Sequence, residues 1–174
     1  HHIVDCGVPF FRKFSMDNSV LRSFTAPARL VWKKRVGSDL TEATAVSGTE
    51  AKFGGSIAVI VDVEGDLTGQ AWYVFSKQTV LGVRASVNTR WIDQVDEKAF
   101  DAVREMIGLV AGNVPTLLEA AGYHCEVKQS RTVSTDEESI SNTTEWPAVV
   151  LLSNLPDESD LSSKNEISVW IDVR

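Results

Sequence analysis

The segment between Asp96 and Gly122 restricts most strongly what this chain can become. Asp96 is a good N-cap, acidic residues follow where the helix dipole favours them, and Gly122 is a natural C′ residue, so a helix is predicted from about Glu97 to Ala121. Placing successive residues about 100° apart gathers Phe100, Val103, Ile107, Val110, Val114, Leu117, Leu118 and Ala121 into one arc, which must face a core. On roughly the opposite side, spacings of 4, 3, 4 and 7 return Asp101, Glu105, Gly108, Gly112 and Glu119 to a single line. Each of the two glycines costs about 1 kcal/mol relative to alanine, and a solvent-facing line has no core that requires them. Close approach of another molecule to that backbone is one explanation. Curvature of the helix over a twisted sheet is the other, and Pro115 adds an expected kink near Gly112.

Around this helix the chain reads as an α+β domain. Residues 8–36 carry aromatic and aliphatic positions at helical spacing, with a break expected at Pro27 and an extended piece after it. A polar stretch covers 37–51. Ile57, Val59, Val61 and Val63 then alternate as in a strand, Glu64-Gly65-Asp66 supplies turn chemistry, and Leu67 to Phe75 returns, which makes a hairpin. Ser76 is placed to cap a short helix through Val87. Three further extended segments are expected at 123–133, 148–153 and 166–174, joined by acidic loops. Helices do not alternate regularly with strands, so the expectation is a mostly antiparallel sheet with two long helices packed on one face.

Composition removes several classes of function. At 174 residues the chain can bury roughly 70% of its unfolded surface, so one domain over 1–174 needs no disulfide or structural metal. The net charge is −7, and the longest basic run is Lys33-Lys34-Arg35, which argues against nucleic acid as a partner. No apolar stretch approaches the ~20 residues that span a bilayer. Cys6 and Cys125 have no metal-knuckle spacing and are expected as free thiols, and no signal peptide opens the sequence, so a cytoplasmic setting is expected. His1-His2 resembles the end of a purification tag and is not read as a metal site. No cofactor is called for.

The run Asp101-x-x-x-Glu105-x-x-Gly108-x-x-x-Gly112-Asn113 resembles the signature helix of the CheC/CheX chemotaxis phosphatases. That signature reads Asp/Ser-x-x-x-Glu-x-x-Asn, followed by an apolar pair, a small residue and Gly-Asn. The similarity covers about residues 53–133, including Gly54-Gly55 before the hairpin, and more faintly the Val8-Pro9-Phe10 start. It implies a CheX-like domain that binds the receiver domain of a response regulator (CheY-like) and acts on its aspartyl phosphate. It further implies that Glu105 pairs with the receiver's lysine and that Asp101 is the upstream polar contact. Phosphoryl transfer needs mainly positioning and electrostatics, which suits so small a set of groups. Gly108 stands where the family's water-positioning Asn would be, so the resemblance implies docking through Asp101, Glu105, Gly108 and Gly112 with phosphatase chemistry impaired or lost. An active phosphatase using Glu105 is the alternative. Asn113 matches the family's own Gly-Asn pair and is read as structural.

Other chemistries have little support. There is no Gly-x-Ser-x-Gly elbow and no Walker-type phosphate loop. His124 and Cys125 adjoin on a strand and so point to opposite faces, which is poor geometry for a nucleophile and its base. A hot-dog thioesterase would also lay a long helix on an antiparallel sheet, but no carboxylate is marked for it. A purely structural dimerisation module is a further alternative. Trp72, Trp91, Trp146 and Trp170 are read as packing residues. Exposed sheet edges, and the sheet-mediated dimers of CheX-like proteins, lead to the expectation of a homodimer.

Overall fold

The computed structural model describes residues 18–42, 46–47, 57–87, 96–134, 147–153 and 166–174. In chain order the elements are helix α1 (Asn18–Val36), strands β1 (Leu40–Glu42), β2 (Val46–Ser47), β3 (Ile57–Gly65) and β4 (Gly69–Phe75), helices α2 (Lys77–Val87) and α3 (Glu97–Ala120), and strands β5 (Cys125–Ser134), β6 (Pro147–Ser153) and β7 (Glu166–Val173). The strands form one sheet in the order β1-β6-β7-β4-β3-β5, with β2 also on β6, and every pairing is antiparallel. Cys6, Val8-Pro9-Phe10, Gly54-Gly55, Trp91 and Trp146 lie outside the described residues.

Strand periodicity divides this sheet into two faces. Val59, Val61, Val63, Tyr73, Phe75, Val169 and Ile171 belong to the main core, together with buried residues of α1, α2 and α3. Ala58, Ile60, Trp72, Val74 and Trp170 form a separate buried cluster on the other face. Helices therefore cover one face, as the patterning predicts. The hairpin register pairs Val59 with Tyr73 and Val61 with Ala71. Its turn depends on glycine, because Gly65 has φ +132° and an added Cβ would lie 2.5 Å from the His124 carbonyl oxygen.

Two sequence expectations need correction. The polar stretch contains two short strands, β1 and β2, both held by ladder bonds to β6 rather than by their own propensity. More importantly, Pro27 does not break α1, which runs unbroken from Asn18 to Val36 with Pro27 buried inside it. An interior proline costs about 3 kcal/mol, through a lost bond and a clash with the carbonyl four residues back. Burial of Phe24, Ala28, Val31 and Trp32, on both sides of Pro27, outweighs that cost. The sheet also supplies a donor beside the break, where the Tyr73 hydroxyl donates to the Phe24 carbonyl at 2.8 Å. Full burial raises the Tyr73 hydroxyl pKa far above its ordinary value, so it stays a neutral donor.

Asp96 fixes where α3 begins. Its carboxylate accepts from the Ala99 amide at 2.9 Å and takes both Nε and Nη2 of Arg84, each at 3.2 Å. Arg84 comes from α2 and is 4% exposed, so Asp96 both caps α3 and neutralises a buried guanidinium. The Arg84 hydrogen bonds, above all, hold the Asp96 carboxyl below its usual range. A depressed folded pKa gives stability that is present above the unfolded value and lost as pH falls through the folded one. Denaturant midpoints should therefore fall as pH drops below about 4, and this part of the fall should be absent in Asp96→Asn, which starts less stable at neutral pH.

Candidate functional site

α3 is held rigidly at both ends. At its C-terminus the Gly122 amide donates to Glu119 at 3.0 Å and the Tyr123 amide to Leu118 at 2.8 Å, with Gly122 at φ +101°. That is a complete Schellman arrangement. Between the caps, Ala99, Ala102, Val103, Met106, Ile107, Val110, Ala111, Val114 and Leu118 are buried. The buried arc is thus wider than the sequence pattern suggests, because α1 covers one flank and β5 the other. Leu117 departs from its predicted place, being 37% exposed. It lines a groove with Ser19, Arg22, Ser23 and Ala26 of α1, where small side chains leave it uncovered.

Opposite that arc, Asp101, Glu105, Gly108, Gly112 and Glu119 are all exposed and follow one another along the helix, as their spacing predicts. Among the described residues, no neighbouring element packs against the two glycines. A Cβ built on Gly108 or Gly112 meets nothing within 4 Å, and neither has a positive φ. The contrast with Gly65, which no larger residue could replace, is direct. α3 runs continuously across Pro115.

Two carboxylates of the line, Asp101 and Glu105, are each paired with an arginine. Arg104 Nη2 donates to Asp101 Oδ1 at 2.6 Å within one turn. Arg35 Nη2, from the last turn of α1, donates to Glu105 Oε1. α1 and α3 are antiparallel, since Ser19 and Ala26 lie by Leu117 and Ala121 while Arg35 reaches Glu105. Arg35 was not among the sequence candidates, and only this helix pairing brings it to the site. Leu109 and Leu30, 45% and 51% exposed, were also missed. They add apolar surface on α3 and α1.

The remaining candidates do not join this line. The Asn113 amide nitrogen donates to its own helix at the Leu109 carbonyl, 2.8 Å away, which fits its structural reading. His124 is exposed and lies just before β5, while Cys125, the strand's first residue, is a buried free thiol, so the two do not face one another as a nucleophile and its base would. Trp72 and Trp170 are buried packing residues. Among the described residues no cluster of His, Cys, Asp or Glu could hold a metal ion, and no helix is long and apolar enough to cross a membrane.

No protein-family model matches the chain. It is 30% identical over 80 residues to the CheY-P phosphatase CheX of Thermotoga maritima, a match covering 45% of this chain and 52% of that protein. The chain thus aligns with about half the length of that curated relative. The fold is similar to a CheC-like superfamily protein from Shewanella sp. PV-4, with a TM-score of 0.70, 18% identity and coverage of 91% and 99% of the two chains. It is also similar to a chain of the CheX–CheY–BeF3–Mg complex from Borrelia burgdorferi, with a TM-score of 0.65, 22% identity and coverage of 88% and 97%. The α+β architecture is that of CheC/CheX-like proteins.

Because open space surrounds both glycine positions, Gly108→Ala and Gly112→Ala should each stabilise the isolated protein by about 0.5–1 kcal/mol in urea unfolding. A loss of stability in either variant would show that the helix itself needs the glycine.

Proposed function

We propose that this chain is a CheX-like signalling protein that docks on the receiver domain of a response regulator through the outward line of α3. Asp101 and Glu105 are its charged contacts and Gly108 and Gly112 its close-approach surface. The observation that carries the reading is the pair of helix-weakening glycines with nothing among the described residues packed against them. A helix gives up about 1 kcal/mol at each, and a partner backbone laid along them is what such a smooth strip accommodates. The likeness to CheX over 80 residues and the fold shared with a chain of a CheX–CheY complex support the same partner class.

The chemistry on that partner would be weak. Hydrolysis of an aspartyl phosphate requires a water held in line with phosphorus, and that is a matter of positioning. Gly108 has no side chain with which to hold it, and Asn113 is turned to its own helix. We therefore read the chain as a docking protein with impaired or lost phosphatase activity, self-associating as a homodimer. β5, which among the described residues pairs only with β3, is an edge that such a contact could use.

Loss of aspartyl phosphate from a phosphorylated receiver domain, followed with wild type, Glu105→Ala and Gly108→Asn, tests this reading. A Cβ added at residue 108 meets nothing within 4 Å among the described residues. Expected are a wild-type rate near the receiver's own autodephosphorylation, and acceleration in Gly108→Asn by a factor of at least ten. Fast wild-type turnover abolished in Glu105→Ala would instead establish an active phosphatase using Glu105. No effect in any variant, together with no binding, would remove the receiver as partner.

A further inference from the structure

Glu105, the carboxylate that the docking reading assigns to the receiver's lysine, already has a cation. Arg35 reaches it from another helix, 70 residues away in sequence. The guanidinium is the more enclosed member, with its side chain 29% exposed against 58% for Glu105. Arg35 is also favoured where it stands. It lies in the last turn of α1 beside Lys33 and Lys34, where the helix carbonyls attract positive charge. An arginine is always charged and weakly hydrated, so it keeps such a pairing more readily than a lysine does.

We propose that Arg35 is a built-in rival for Glu105, setting how tightly a receiver-domain lysine can be held; this rests on the docking reading above. An ammonium group approaching Glu105 meets a carboxylate whose charge is already compensated, and Lys34 adds like charge on the same helix end, where Lys33 is itself paired with Asp39 at 3.1 Å. The incoming lysine must either displace Arg35 or share the carboxylate with it. Exposed ion pairs of this kind are modest in strength, so the rivalry lowers partner affinity by about two- to fivefold at low ionic strength. It is a specificity device as well, since only a partner with further contacts along Gly108 and Gly112 overcomes it.

The test is the dissociation constant of a receiver domain loaded with magnesium and beryllofluoride, measured by calorimetry for wild type, Arg35→Gln, Arg35→Lys, Glu105→Gln and the Arg35→Gln/Glu105→Gln double variant. Thermal melts of each variant confirm that it folds. Arg35→Gln should bind about two- to fivefold more tightly, Arg35→Lys should show a smaller gain, and the gain should shrink as salt is raised. In the Glu105→Gln background, Arg35→Gln should bring no gain. If Glu105→Gln weakens binding but Arg35→Gln leaves it unchanged or weaker, the rivalry is wrong and the docking reading stands. If no variant binds, or binding ignores Glu105, both are wrong.

Discussion

Val103, Ile107, Val110, Val114 and Leu118 of α3 are buried in one core with Val59, Val61 and Tyr73 of the sheet and Phe24, Val31 and Trp32 of α1. Full burial of one such side chain contributes about 1.5–3 kcal/mol, so the helix has no freedom to rotate about its axis. Holding that face inward necessarily holds the opposite one outward. The exposure of Asp101, Glu105, Gly108 and Gly112 is therefore a consequence of the core and not a separate feature. The caps complete the constraint. Asp96 with Arg84 sets the start of the helix, and the Gly122 turn sets its end.

The outward line then combines a rigid frame with a weak local sequence. Gly108 and Gly112 sit where helix propensity is lowest, yet neither cap nor core depends on them. Gln129 of β5 adds a further tie, donating to the Arg104 carbonyl at 2.7 Å just before Gly108. Such a surface can accept a backbone at close range without deforming. Two of its carboxylates, Asp101 and Glu105, are each paired with an arginine before any partner arrives.

Much of this was legible in the sequence. The hairpin, the Ser76 and Asp96 caps, the Gly122 stop and the outward line of α3 all rest on local rules, periodicity and capping, which act over a few residues. What was not legible depended on partners distant in sequence. Pro27 reads locally as a break, and only tertiary burial and the Tyr73 hydroxyl keep α1 continuous. β1 and β2 exist because β6 pairs with them. Arg35 could not be placed at Glu105 until α1 and α3 were known to be antiparallel. Leu117 sits on the apolar arc by spacing, but small residues on α1 leave it uncovered.

The central claim is that the outward line of α3 is where a receiver domain sits. Amide chemical-shift changes, recorded as a receiver carrying magnesium and beryllofluoride is titrated into the labelled protein, report that most directly. Gly108 and Gly112 are sensitive markers there, since glycine amides resonate in a separate region. The account predicts the largest changes between residues 101 and 112, with smaller ones near Arg35. Changes confined to the sheet, with Gly108 and Gly112 unmoved at saturation, would contradict it.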